Sequence, residues 1–256
     1  MIRRIAIAAL MLAALSAAPA SRAQDEQGPP LLDGQFSFDS FFGTIDLPAA
    51  QRGLQIYTEV CSTCHALDEL SYHDIEGLGY SEEQAKSYAA NFKVADIKDD
   101  GSPTQRTALP SDKFVHPFPN EAAARSANNG AVPPDLALVV KARKGGANYV
   151  YSLLQGFSDP PAGMKMNAGM NYNKYFTAGS GQIAMPQPLQ DASVTYADKS
   201  PNDLKSEAHD VVTFLEWAAN PELNARKQMG VKVLIFLVVM TGILYFAKRG
   251  IWHDVH

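Results

Sequence analysis

Both cysteines of this 256-residue chain fall inside one five-residue stretch, Cys61-Ser-Thr-Cys64-His65, and no other feature constrains the fold as tightly. Two thiols three residues apart can add to the two vinyl groups of one haem. The histidine after the second thiol is then placed to ligate the iron from the proximal side, which is the pattern of covalent c-type haem attachment. The competing uses of such a pair fit less well. A zinc site needs two more ligands, yet no further cysteine exists and His73, His116 and His209 lack the paired spacing of zinc motifs. A thioredoxin-type dithiol gives His65 no role.

The ends of the chain bear on where such a haem sits. Met1-Ile-Arg3-Arg4 is a cationic start, Ile5 to Ala14 an apolar run, and Ser21-Arg22-Ala23 a small-x-small cleavage pattern; together they predict a secretory signal over residues 1–23. A span would need about 20 apolar residues, and this run is about half that. Export places the mature chain in a periplasm-like compartment, where cysteines pair as disulfides unless something else holds them. Near the other end, Val231 to Ala247 is apolar except for Lys232 and Thr241 and closes on Lys248-Arg249. Its roughly 26 Å of helix, extended by snorkelling of Lys232, predicts a single membrane span. Arg226 and Lys227 precede the span, so its flanks orient it weakly. The signal decides, putting residue 24 onward outside and the tail inside. The expected divisions are a signal at 1–23, a periplasmic haem domain at 24–225, an anchor with flanks at 226–249 and a cytoplasmic tail at 250–256.

Charge enters at this point. The whole chain is formally −5, but residues 24–225 hold 26 acidic and 14 basic side chains and so carry −12. That balance excludes sequence-independent nucleic-acid binding, which needs a basic footprint, and favours a cationic partner. The clusters Asp68-Glu69, Asp74/Glu76, Glu82-Glu83 and Asp96/Asp99/Asp100 concentrate the acid between residues 68 and 100. The plainer use of such a face is solvation.

Around the haem motif, Leu47-Pro48 opens a stretch from Ala49 to Val60 in which Gly53, Leu54, Tyr57 and Val60 recur at helical spacing. A second helix is predicted from Ser200 as cap, Pro201 at the first position and Asp203 in the first turn, running through Val211, Val212, Phe214, Leu215 and Trp217 to a stop at Asn220-Pro221. Glycine at position 53 would let the two helices approach closely. For a sixth iron ligand the thioether of methionine is the first candidate. Met164, Met166 and Met170 crowd a Gly- and Asn-rich stretch, whereas Met185 stands in Gly181-Gln-Ile-Ala-Met185-Pro-Gln-Pro188, whose prolines stiffen the loop. Gap-filling in a core is the alternative use of any of these methionines.

Cys61-Ser-Thr-Cys64-His65, Ala127-Asn-Asn-Gly-Ala-Val-Pro-Pro-Asp-Leu136, Ala142-Arg-Lys-Gly-Gly-Ala-Asn-Tyr149, Ile183-Ala-Met185-Pro and the Phe214-Leu-Glu-Trp217 helix before a single tail span closely resemble the bacterial cytochrome c1 family, the haem subunits of the ubiquinol:cytochrome c oxidoreductase (cytochrome bc1 complex). The resemblance covers nearly the whole mature chain, although the stretch between Gly163 and Gly181 is only loosely similar and the extra disulfide of some bacterial members is absent. It implies a mainly α chain with the class I c-type cytochrome fold, loop insertions and one C-terminal transmembrane helix. It implies one covalent haem c on Cys61 and Cys64, His65 and Met185 as axial ligands, and Asn128, Pro133, Arg143, Tyr149 and Phe176 lining the haem. A carbonyl of Pro133-Pro134 is free to accept from the second ring nitrogen of His65, and Arg143 can neutralise a haem propionate.

The implied function is electron transfer from the Rieske iron-sulfur protein to cytochrome c, beside cytochrome b in a dimeric complex of the bacterial inner membrane. As an enzyme subunit the chain would have no substrate-transforming site of its own. The rivals are a haem protein with an open iron face that binds gas or peroxide, and a membrane-anchored cytochrome shuttle outside any complex.

Overall fold

The computed structural model describes residues 28–253, so the predicted signal at 1–23 lies outside the described residues. The architecture is mainly helical. Helix α1 (Leu47–Glu59) opens on Asp46, whose carboxylate accepts from Ala49 N at 3.2 Å, with Pro48 in its first turn. The haem motif follows at once, with a 3-10 turn at Cys61–Thr63. A second 3-10 segment, Tyr72–Leu78, precedes α2 (Glu82–Ala89). Strands β1 (Lys93–Ile97) and β2 (Pro103–Thr107) then form an antiparallel hairpin in which Lys93 faces Thr107. Helices α3 (Glu121–Ala127), α4 (Val139–Ala142) and α5 (Gly146–Leu154) are short. The two-residue strands β3 (Asn171–Tyr172) and β4 (Gln182–Ile183) pair antiparallel just before Met185. Helix α6 (Leu204–Ala219) closes the domain, and α7 (Leu223–Ile251) leaves it.

The centre of the core is the crossing of α1 on α6. A Cβ at Gly53 would run into the Asp210 carbonyl oxygen and lie 2.6 Å from Phe214 Cβ, so only glycine lets the backbones come this close. Beside it Arg52 makes two bonds to the buried Asp210, Nε to Oδ2 at 2.6 Å and Nη2 to Oδ1 at 2.9 Å. Tyr57 on α1 packs between Phe114 and Phe214, at ring-centroid distances of 6.0 and 5.8 Å, and Trp217 stacks on Phe214.

The start of α6 differs from the expectation. Its cap is Asp203, whose carboxylate accepts from Lys205 N and Ser206 N, and the helix begins at Leu204. Ser200 is used elsewhere, donating its N–H and hydroxyl to Asp198. A carboxylate that accepts two helix N–H groups carries a full charge at the positive end of the helix, which Ser200 lacks. Asn220 ends the helix as expected, and the Lys141 ammonium caps the Ala219 carbonyl.

Helix α7 is 29 residues long and contains the whole apolar run; Leu223 at its start is buried against the domain, while most side chains of the run are exposed. Its mean hydropathy over the most apolar window is 2.2, enough to cross a membrane by length and composition.

Candidate haem site

Cys61 and Cys64 lie on the single turn that follows α1, and both are free thiols in half-buried residues. The turn is pinned from both sides. Cys64 N and His65 N both donate to the Cys61 carbonyl, and the Tyr57 hydroxyl donates to the His65 carbonyl at 3.0 Å. Burial pushes the Cys61 thiol up to about 12, with Cys64 adding to the shift.

The segment after the prolines is latched across this turn. His65 Nδ1 lies 2.7 Å from the Pro134 carbonyl oxygen, so the ring nitrogen on that side is the protonated one and Nε2 keeps its lone pair. Leu136 N donates to the Ala66 carbonyl at 3.0 Å, and Asp68 N donates to Asp135 Oδ2 at 2.7 Å. Asp135 Oδ1 accepts from Ala137 N at 2.8 Å, which closes the latch locally. Burial lowers the His65 pKa, opposed by the Pro134 bond, and so favours the neutral imidazole that a metal requires. Pro133 is half-buried beside this contact.

Met185 is half-buried two residues after β4. Its carbonyl accepts from Asn171 Nδ2 at 3.3 Å, and Pro186 follows. The strand pair that carries it is pinned by Asn173, which is fully buried. Its Nδ2 donates to the Leu153 carbonyl at 2.7 Å, its Oδ1 accepts from Tyr175 N at 3.0 Å and its own N donates to the Gly181 carbonyl. Phe176 is half-buried in the same bend, its ring covering Gly179.

Two of the expected lining residues meet in a cleft of about 700 Å³. Arg143 and Tyr149 line it with Lys144, Tyr175, Thr177 and the segment from Gly28 to Leu31; among the described residues no acidic side chain contributes. Arg143 is exposed and makes no ion pair among the described residues. Burial raises the Tyr149 phenol, and the nearby Arg143 charge opposes the shift. A guanidinium and a phenol side by side suit a carboxylate. Asn128 ends α3, where its Nδ2 donates to the Ala124 carbonyl at 2.8 Å; its Oδ1 and the second Nδ2 hydrogen are left for another group. The next residue, Asn129, adopts a left-handed φ of 52° and donates to the Ala168 carbonyl at 3.0 Å.

The structure therefore gathers the expected residues into three groups: Cys61, Cys64, His65 and Pro133; Arg143 and Tyr149; Phe176 and Met185. No hydrogen bond joins the His65 group directly to the Met185 group among the described residues. The segment from Asn128 to Leu136 joins the His65 group through the Pro134 latch and, through Asn129, the Ala168 carbonyl in the loop before β3. The residues present fit a haem c: a thiol pair on one turn, an imidazole with its outer nitrogen already bonded, and a basic wall for propionates. Asp135 and Asn173 are positioning residues that pattern reading missed. The signal for Asp135 was an Asx residue immediately after two prolines, where its carboxylate caps the backbone two residues on; Asn173 carried none.

Comparison with known proteins agrees with this reading. The cytochrome c1 family model matches residues 36–255. Cytochrome c1 of Rhodospirillum rubrum is 41% identical, covering 99% of this chain and 98% of that protein. The Bradyrhizobium diazoefficiens protein named cytochrome b/c1 is 40% identical over 98% of this chain, which spans only 39% of that longer protein. The mitochondrial cytochrome c1 haem protein of Saccharomyces cerevisiae is 42% identical over 86% of this chain and 71% of its own length. A match over most of the chain, at this identity and from end to end of a bacterial relative, leaves one assignment: the chain belongs to the cytochrome c1 family, the haem-bearing electron-transfer subunits of the cytochrome bc1 complex.

Proposed function

We propose that the chain passes single electrons from the Rieske iron-sulfur protein to a cytochrome c through one haem c that is bound by Cys61 and Cys64 and ligated by His65 and Met185. The observation that carries this is the 2.7 Å contact between His65 Nδ1 and the Pro134 carbonyl, because it fixes the tautomer and aims the other ring nitrogen away from the latch. Bound there, the haem supplies a one-electron iron couple whose potential a thioether ligand raises.

The residues of the chain do the rest. The latch from Pro134 to Leu136 holds the imidazole plane, Asn173 and the β3–β4 pair hold the methionine strand, and Arg143 with Tyr149 offers charge-assisted bonds to propionates. Held by His65 and Met185, a haem would exchange single electrons with no general acid, base or nucleophile from this chain, so catalysis belongs to the complex and this subunit contributes conduction.

The reading extends to placement. Helix α7 anchors the chain, and the haem domain faces the periplasm of a bacterial inner membrane, as the signal read at residues 1–23 implies. Cytochrome b is the membrane neighbour; the name of the Bradyrhizobium protein, cytochrome b/c1, couples the two cytochromes in one chain. The complex is dimeric, and the acidic balance of residues 24–225 suits a basic cytochrome c as acceptor. Mild detergent extraction followed by haem spectroscopy and subunit analysis tests this: a b-type and a c-type haem in one particle is expected. A c-type haem that migrates free of cytochrome b would contradict the assignment to the complex and leave the shuttle.

A further inference from the structure

Outside α7 and the residues after it, only two aromatic side chains among the described residues are exposed, and they are adjacent: Phe41 at 69% and Phe42 at 73%. Their rings meet edge to face, 4.8 Å between centroids. A globular surface rarely keeps two such rings in water without a use for them.

The loop beneath them is built and closed. Gly43 N donates to the Ser40 carbonyl at 3.0 Å, which places Phe41 and Phe42 at the two central positions of a tight turn. The Ser37 hydroxyl donates to the Thr44 carbonyl at 2.7 Å across its neck, and a Cβ at Gly43 would collide with the Ser37 carbonyl. Residues 40–45, Ser-Phe-Phe-Gly-Thr-Ile, carry no charge. The loop is also tied to α7. Lys227 Nζ donates to the carbonyls of Phe38 and Ser40, both at 2.7 Å, and Asn224 Oδ1 accepts from Ile45 N at 2.8 Å. Lys227 precedes the apolar run by four residues, about 6 Å along the helix axis, so these bonds tie the aromatic turn to α7 within about two helical turns of where the apolar run begins.

We propose that the Ser40–Gly43 turn is an interfacial foot, whose Phe41 and Phe42 rings insert into the boundary between lipid headgroups and acyl chains beside α7. Uncharged aromatic tips suit that layer, where apolar rings are buried to a shallow depth. Lys227 spends its donors on loop carbonyls at the water side. With α7 as one attachment and the turn as a second, the haem domain loses its freedom to swivel about the anchor. The proposal rests on α7 crossing the membrane.

Site-directed spin labelling tests it on the full-length, haem-loaded chain in phosphatidylcholine vesicles, where thioether formation removes Cys61 and Cys64 from labelling; the unsubstituted chain controls for this. Nitroxides are placed at Phe42→Cys and separately at Phe41→Cys. Val238→Cys in the span and Ile97→Cys, 71% exposed on β1, serve as references. The ratio of accessibility to oxygen over a water-soluble nickel chelate is expected to be several-fold higher at 41 and 42 than at 97, and to approach that at 238. A water-like ratio at 41 and 42 with a lipid-like ratio at 238 overturns the foot while leaving the span intact. Water-like ratios at 42 and 238 together overturn both. Low accessibility to both reagents at 41 and 42 means that protein covers the turn, and also overturns the proposal.

Discussion

Asn173 carries more of the site than its place in a polar stretch suggests. Fully buried, it uses its amide nitrogen on Leu153, its amide oxygen on Tyr175 and its backbone N–H on Gly181, and so ties the strand pair before Met185 to the end of α5. Asn173→Ala strands the Tyr175 N–H in the interior and removes the tie to the Leu153 carbonyl. It should cost about 1–3 kcal/mol, read as a lower urea midpoint of the haem-loaded protein; no change would mean that the methionine strand is held by other contacts. Glu207 is the opposite case. Its side chain is fully buried, one oxygen accepts from Val194 N at 2.9 Å, and the other has no partner among the described residues. Burial raises its carboxyl above the ordinary 4.5. The native state therefore holds the proton more tightly than the unfolded chain, so this stabilisation is complete below pH about 4.5 and is lost as the pH rises through the native value. Glu207→Gln keeps an acceptor for Val194 and removes the titration. Thermal melting against pH should show a flatter fall above pH about 4.5 and a higher midpoint at pH 7; a lower midpoint at pH 7 would show that the native carboxylate is paired.

Among the elements, the crossing of α1 and α6 has the least tolerance. Gly53→Ala puts a methyl against the Asp210 carbonyl and Phe214, and overpacking of this kind costs about 1–3 kcal/mol. A drop in melting temperature with an unchanged reduced spectrum is expected, because the haem turn lies beyond the crossing; an unchanged melting temperature would mean that the helices part easily. This crossing was legible in the sequence, since a glycine and a tyrosine on one helical face and a proline-led stop on the other are local signals. The span and the haem turn were legible for the same reason. What escaped was made by residues far apart in the chain. Arg52 finds Asp210 only once the helices cross, and Asp135 finds Asp68 only once the Pro-Pro segment folds back. The β1–β2 hairpin escaped because its strands are half-exposed and largely polar, with no apolar face to announce them. Asp203 took the cap read at Ser200 because a neighbouring loop, closed on Asp198, had claimed that serine.

For the molecule as a whole, the acid between residues 68 and 100 is only partly available to a partner. Asp96 pairs with Arg106 at 3.3 Å, Asp68 with His116 at 2.7 Å, Asp74 accepts from Ser71 N, and Asp100 holds Ser102. Glu82, at the start of α2, and Asp99, in the β1–β2 turn, make no side-chain hydrogen bond or ion pair among the described residues. If this face steers a basic cytochrome c, Glu82→Lys and Asp99→Lys should each slow its second-order reduction and weaken the dependence on salt, with the haem spectrum unchanged. Equal rates and salt slopes would move docking to another face. The central claim, a closed haem between His65 and Met185, is tested most directly by redox titration of the native protein and Met185→Leu, each with and without carbon monoxide. The account predicts that the native reduced protein ignores the gas, while the variant binds it and falls in potential by on the order of 100 mV. An unaltered potential in the variant, or carbon monoxide binding by the native protein, would contradict it.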